Sequence, residues 1–165
     1  MDAQELRSMQ APLKERYTSD PDSAVITLSA TGTIGEGVTC KVETGGKIAE
    51  AELHPLTGGD GMSLCSGDML LEALVACAGV TLNAVATAIE VDLRDASVTA
   101  EGDLDFRGTL GVSKEAPVGF SNIRLTFDLD TDAPREQLDT LIKLTERYCV
   151  VFQSISNTPE MTVSY

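Results

Sequence analysis

Histidine is almost absent from this chain. His54 is the only one, and none of the four cysteines, at 40, 65, 77 and 149, stands in a C-x-x-C pair. The ligand spacing of a zinc site is therefore missing. Basic residues are also scarce: 12 Lys and Arg face 26 Asp and Glu, for a formal charge of −14. A field of that sign repels the phosphates of nucleic acid and an anionic membrane surface, so neither is an expected partner. The first twenty residues mix both signs of charge and contain no apolar h-region. No secretory signal is read there, and the cytoplasm is the expected compartment. The one stretch long enough to suggest a membrane span, Met69 to Ile89, carries Glu72 and Asn83 and many small residues, which suits a tightly packed interior helix better.

What is present is a core. With 165 residues, 42% of them hydrophobic, the chain suits one domain over residues 1–165, of which 1–23 form an N-terminal arm. A disulfide framework does not suit a cytosolic chain with this much core, so a cysteine with a task is expected to be catalytic or redox-active.

Residues 2 to 18 read as a polar arm, helical in composition and interrupted by Pro12, and Asp20-Pro21-Asp22 marks a turn. Three strands of an antiparallel meander follow from alternation: Ala24 to Ala30, Val38 to Val42, and, after Thr44-Gly45-Gly46, Ala49 to Leu53. The glycine-rich segment from Thr57 leads to Ser66 as a helix N-cap, with Asp68 in the first turn. Leu70, Ala73, Leu74, Cys77, Val80, Ala84, Val85 and Ala88 then recur at three- and four-residue steps, which puts Cys77 in the buried stripe of a long helix. Two long strands are expected at Val98–Phe106 and Ile123–Leu129. A helix from Asp132-Ala-Pro134 through Tyr148 turns Leu138, Leu141 and Ile142 inward. A further helical turn follows from Cys149, then a break at Asn157-Thr-Pro159 and a last strand Met161–Tyr165. The order is that of an α+β fold with helices packed on curled antiparallel sheets. The long central helix is apolar over so much of its surface that a homodimer sharing it is expected.

A thiol inside such a helix is either an inert small hydrophobe or an activated nucleophile. Cys77 lies well past the first turn, so the helix dipole cannot lower its pKa much. As a nucleophile it needs a cation brought from elsewhere in the fold and held by a carboxylate, for which Asp68 or Glu72 would serve. Cys149, in Glu146-Arg147-Tyr148-Cys149, falls at a helix junction where backbone N–H groups can reach a sulfur. Two-cysteine peroxide reduction needs one thiolate that becomes a sulfenic acid and a second thiol that condenses with it. On composition and spacing alone, four core cysteines remain the simpler reading.

The long helix with Leu70-Leu-Glu-Ala-Leu74 ahead of Cys77, the intervening strands, and the later Cys149-Val-Val-Phe-Gln153 resemble the OsmC and Ohr (organic hydroperoxide resistance) family, over roughly residues 24 to 165. The resemblance implies an OsmC-like fold built as an intertwined homodimer. It makes Cys77 the peroxidatic and Cys149 the resolving cysteine, with Gln153 as a substrate-binding or supporting residue. The family's carboxylate falls on Gly67 or Asp68, which makes Asp68 the first candidate and Glu72 the second. Its arginine comes from the N-terminal region, where Arg16 is chosen ahead of Arg7. Two features depart from the family: Val150 stands where a proline usually follows the second cysteine, and Cys65-Ser66-Gly67-Asp68 replaces the Ser-Pro-Glu start of the helix. The chain thus resembles a divergent member.

The activity implied is reduction of organic hydroperoxides through a Cys77 sulfenic acid and a Cys77–Cys149 disulfide. It uses no cofactor but an external dithiol reductant, for which the family suggests a lipoyl group. An apolar lining around Cys77 would favour alkyl or lipid hydroperoxides over hydrogen peroxide. The alternative is a catalytically inactive OsmC-like dimer that binds an apolar small molecule at its interface; a thiol-dependent hydrolase is weakened by the lack of a histidine near Cys77 in sequence. Cys40 reads as strand packing, Cys65 as an incidental cap residue or alternative resolver, and His54 as a loop residue.

Overall fold

In the computed structural model, residues 2–25, 27, 32–34, 39–44 and 47–165 are described, with the backbone alone at 21, 32–34, 39–44 and 47–48. The chain opens with helix α1, Ala3–Ser19, fixed at its start by a capping box: the Glu5 N–H donates to Asp2 Oδ1 at 2.8 Å and the Asp2 N–H to Glu5 Oε2 at 3.0 Å. Pro12 was expected to interrupt this arm and does not. The helix runs through it, losing one ladder bond, with a reciprocal cap at its start and an Asp20 N–H to Arg16 carbonyl bond of 2.8 Å at its end. Pro21–Ala24 is a 3-10 turn, so Ala24 is not in a strand; most of the first expected strand lies outside the described residues.

Strands β1 (Gly32–Ile34), β2 (Thr39–Thr44) and β3 (Lys47–Glu52) form an antiparallel meander, with Cys40 opposite Ala51 and Val42 opposite Ala49. A fourth strand, β4 (Leu64–Cys65), adds in parallel to β3. Two residues are too few for a sequence pattern, and Cys65 was read as part of a cap. Helix α2 follows at once, Ser66–Ala88, so Ser66 is its first residue rather than its N-cap. Strands β5 (Asp95–Leu104) and β6 (Phe120–Asp130) form a separate two-stranded sheet. They run antiparallel, since the Arg94 N–H reaches the Asp130 carbonyl at one end and Ser121 Oγ the Asp103 carbonyl at the other. Both alternate half-buried with exposed residues as expected. Between them stands a short helix, α3 (Phe106–Thr109), and after them α4 (Arg135–Tyr148) and α5 (Val150–Ser156). Met161–Tyr165 forms no strand; Met161 is 79% and Val163 90% exposed. Its alternation of apolar residues pairs with no strand among the described residues.

Contacts gather into two compact units, Met1–Ile26 with Ala73–Thr99 and Thr126–Tyr165, and Thr27–Glu72 with Ala100–Leu125. The core of the first is Leu82, Val85, Ala86, Val91 and Leu141, with Phe127, Leu138 and Ile142 packed around it. The buried face of α2 is thus Leu74, Ala78, Leu82, Val85 and Ala86, a set displaced from the expected stripe, in which Leu70 and Val80 prove exposed. Cys77 is half-buried at the edge of that face. By length and composition α2 could cross a membrane, yet only 28% of its most apolar window is buried within the chain.

Candidate active site

The thiols are brought together by a one-residue break between two helices. Helix α4 ends at Tyr148 and α5 begins at Val150; between them Cys149 is extended, with φ −73° and ψ 106°. This restart gives α5 its own free N–H groups, which a continuous helix would have consumed. The Cys149 N–H donates to the Thr145 carbonyl at 2.9 Å, and its carbonyl accepts from the Gln153 N–H at 2.9 Å. Gln153 clamps the junction: its Nε2 donates to the Glu146 carbonyl at 2.9 Å and its Oε1 accepts from Asn157 Nδ2 at 3.0 Å. The side chain therefore sets the angle between α4 and α5.

Cys149 is 1% exposed, and both thiols are free. Burial pushes the Cys77 thiol up. Against it, the Val151 N–H, the Cys149 thiol, the Val150 N–H and the Thr81 hydroxyl all hydrogen-bond the Cys77 sulfur, and they hold its pKa below the ordinary thiol value. Cys149 goes the other way. Burial pushes it up, the Phe152 N–H opposes, the hydrogen bond with Cys77 and the charge there push it further, and the Val151 N–H opposes in part. The two thiols are thereby set apart, Cys77 being the more readily ionised and Cys149 the less.

No cation among the described residues acts on the Cys77 sulfur. Arg16 lies on the exposed surface of α1, its guanidinium 5.0 Å over the Tyr17 ring and its Nη2 3.4 Å from the Tyr17 hydroxyl. Arg7 pairs with Glu90 at 3.5 Å. Asp68, in the first turn of α2, and Glu72, one turn on, are exposed and enter no ion pair among the described residues. Of the residues singled out from sequence, Cys77 and Cys149 meet, Gln153 supports their junction, and Arg16, Asp68 and Glu72 do not reach the sulfur within one chain.

Thr81, Val150 and Val151 were missed. Thr81 had a signal, because a residue four after Cys77 shares its helix face. The two valines act through backbone N–H groups, which no side-chain pattern reports. His54 belongs to the other unit, where its Nδ1 accepts from the Leu56 N–H at 3.1 Å. Cys65 is half-buried, and the side chain of Cys40 lies outside the described residues. No cluster of three or more metal-ligating side chains occurs among the described residues.

A polarised pair of thiols, one on a long apolar helix and one at a helix junction, makes this a dithiol protein of α+β fold. The chain belongs to the OsmC family: the model of that family, described as OsmC-like protein, matches residues 58–164. Solved structures share the fold. An OsmC-like protein from Mycoplasma pneumoniae superposes with a TM-score of 0.67 at 14% identity, over 81% of this chain and 89% of that one. An organic hydroperoxide resistance protein OsmC from Legionella pneumophila gives 0.62 at 19% identity, over 81% and 91%. The organic hydroperoxide resistance protein OhrB of Bacillus subtilis gives 0.54 at 18%, over 81% and 93%. No sequence among the curated proteins matches significantly.

Proposed function

We propose that the protein is a cytoplasmic, cysteine-based peroxidase that reduces organic hydroperoxides. The observation that supports this most is the donor set around Cys77, in which two N–H groups, a hydroxyl and the Cys149 thiol all favour the thiolate. The Cys77 thiolate attacks the outer oxygen of RO–OH; the O–O bond breaks, an alcohol leaves after taking a proton, and Cys77 becomes a sulfenic acid. The Cys149 sulfur then displaces hydroxide, which leaves as water with the Cys149 proton, and a Cys77–Cys149 disulfide forms. An external dithiol of the lipoyl type restores both thiols by exchange and is itself oxidised, so the cycle uses no bound cofactor. The substrate class is supported by the names of the relatives from Legionella and Bacillus.

The proposed assembly is a homodimer. Val80 is 74% exposed, Val150 70% and Tyr148 57%, and each stands close in sequence to one of the two cysteines. Apolar surface of this kind is ordinarily covered. In a dimer Arg16 of a second copy would supply the cation missing from Cys77, oriented by Asp68 or Glu72.

Peptide mass spectrometry of the reduced protein after one equivalent of cumene hydroperoxide, beside hydrogen peroxide and a Cys77→Ser variant, tests the reading. The expected product is a Cys77–Cys149 disulfide, formed faster with the organic peroxide and absent from the variant. Unreacted thiols, or slow oxidation scattered over Cys40 and Cys65, would overturn it.

A further inference from the structure

The unit of residues 27–72 and 100–125 holds a cavity of about 370 Å³ that contains neither Cys77 nor Cys149. This volume falls within the range of small-molecule sites, about 300–1,000 Å³. Its walls are mainly apolar, formed by Leu53, Leu70, Leu104, Phe106 and Phe120, with His54 among them. Two of its aromatic surfaces are held by close contacts. His54 stacks on Phe106 with ring centroids 4.7 Å apart and planes 21° apart. Phe120 lies over Gly102 so closely that a Cβ there would come within 2.4 Å of the ring.

The polar groups define what could bind. His54 Nδ1 accepts from the Leu56 N–H at 3.1 Å, and the Thr57 hydroxyl donates to the His54 carbonyl at 2.8 Å, which together fix the turn that carries the ring. With Nδ1 acting as acceptor, Nε2 is the ring nitrogen left to donate. Among the described residues of the lining Glu52 is the one carboxylate, and none is a lysine or arginine. An anionic ligand would face this carboxylate without a counter-charge.

We propose that this cavity is a binding site for an uncharged, ring-bearing small molecule whose oxygen accepts a hydrogen bond from His54 Nε2. It shares no lining residue with the thiol pair, and binding there does not depend on turnover. Stacking against the rings of His54, Phe106 and Phe120 supplies the affinity for a flat ring, and the imidazole N–H supplies the orientation.

Gly67 provides the means to fill it. A Cβ at this position, in the first turn of α2, would meet Leu104 Cδ1 at 3.5 Å and Cys65 Sγ and Phe120 Cζ at 3.6 Å. These are ordinary contacts for a Cβ, so the further carbons of a Gly67→Leu side chain must occupy the space between the walls. Isothermal titration of the full chain with 2-naphthol is expected to show saturable binding, unchanged in Cys77→Ser. Gly67→Leu should weaken it by at least about tenfold, and His54→Phe, which keeps the stacking and removes the donor, by about three- to tenfold. Backbone amide shifts of the wild-type protein on titration should cluster in residues 52–67 and 104–120, a readout that holds even if Gly67→Leu folds poorly. Absence of saturable binding, full binding by Gly67→Leu, or shifts centred on Cys77 and Cys149 would overturn the proposal.

Discussion

Helices α2 and α4 both pack on the same core, and they are finished to different degrees. In α4, Leu141 and Thr145 are 0% and 1% exposed and Leu138 and Ile142 are half-buried, while Glu136, Asp139, Lys143, Glu146 and Arg147 face out. Its apolar stripe is used up inside the chain. In α2 the inward face is just as well buried, through Leu74, Ala78 and Leu82, but the outward face carries Val80 at 74% exposure. One helix is complete in a single chain; the other has a second apolar face, and Cys77 sits where the two faces meet.

The sharpest way to break that comparison is to truncate one residue from each helix. Leu141→Ala removes a fully buried side chain and should cost about 2–5 kcal/mol of stability in chemical denaturation. Val80→Gln should leave the fold within about 0.5 kcal/mol and instead reduce self-association, read by sedimentation over a range of concentrations. Unchanged sedimentation would show that a second copy does not cover the outer face of α2. A large loss of stability would show that Val80 packs within its own chain.

The next effect concerns the break that follows α4. Val150 is the first residue of α5, where proline is well tolerated, and Val150→Pro would remove one N–H donor from the Cys77 sulfur while leaving that of Val151. Alkylation by iodoacetamide, followed peptide by peptide against pH, reads the thiolate. In the wild type Cys77 should label below the pH of an ordinary thiol and Cys149 only above it; in Val150→Pro the Cys77 curve should move up. The stability linked to these groups has opposite signs. The lowered Cys77 contributes stability that is present above the ordinary thiol pKa and lost as pH falls through its folded value. The raised Cys149 contributes stability that is present below the ordinary pKa and lost as pH rises through its own. A Cys77 curve unmoved by the proline would mean that the N–H of Val150 does not support the thiolate.

What could be read beforehand follows the same division. Helix α4 was legible almost to the residue, because its apolar positions occupy one face and Pro134 and Tyr148 bound it. The strands β5 and β6 were legible through their alternation. The buried face of α2 was misplaced because nearly every face of that helix is apolar, so periodicity could not choose between Val80 and Ala78. Pro12 suggested an interruption that a capping box and a capped last turn outweigh. Cys77 and Cys149 could be named from the family resemblance, but their polarisation could not, since it depends on backbone N–H groups at a helix restart and on a hydroxyl one turn along α2.

The helix ends differ as well, and there the smallest effect is expected. Helix α4 stops at an extended cysteine and starts again, whereas α2 is closed by Glu90 in the left-handed region, at φ 59°, with the Val91 N–H returning to the Ala86 carbonyl at 2.9 Å. This is the position where glycine ordinarily closes a helix, since a Cβ there crowds the backbone. Glu90→Gly removes that strain and also the Arg7–Glu90 pair, whose side chains are 67% and 72% exposed and therefore hold α1 weakly. The left-handed residue costs about 1–2 kcal/mol and the entropy of glycine takes back about 0.5–1 kcal/mol, so relief of the backbone should win by about 0.5–1 kcal/mol in denaturant titration. A loss instead would mean that the tie from α1 to the end of α2 matters more than the strained turn.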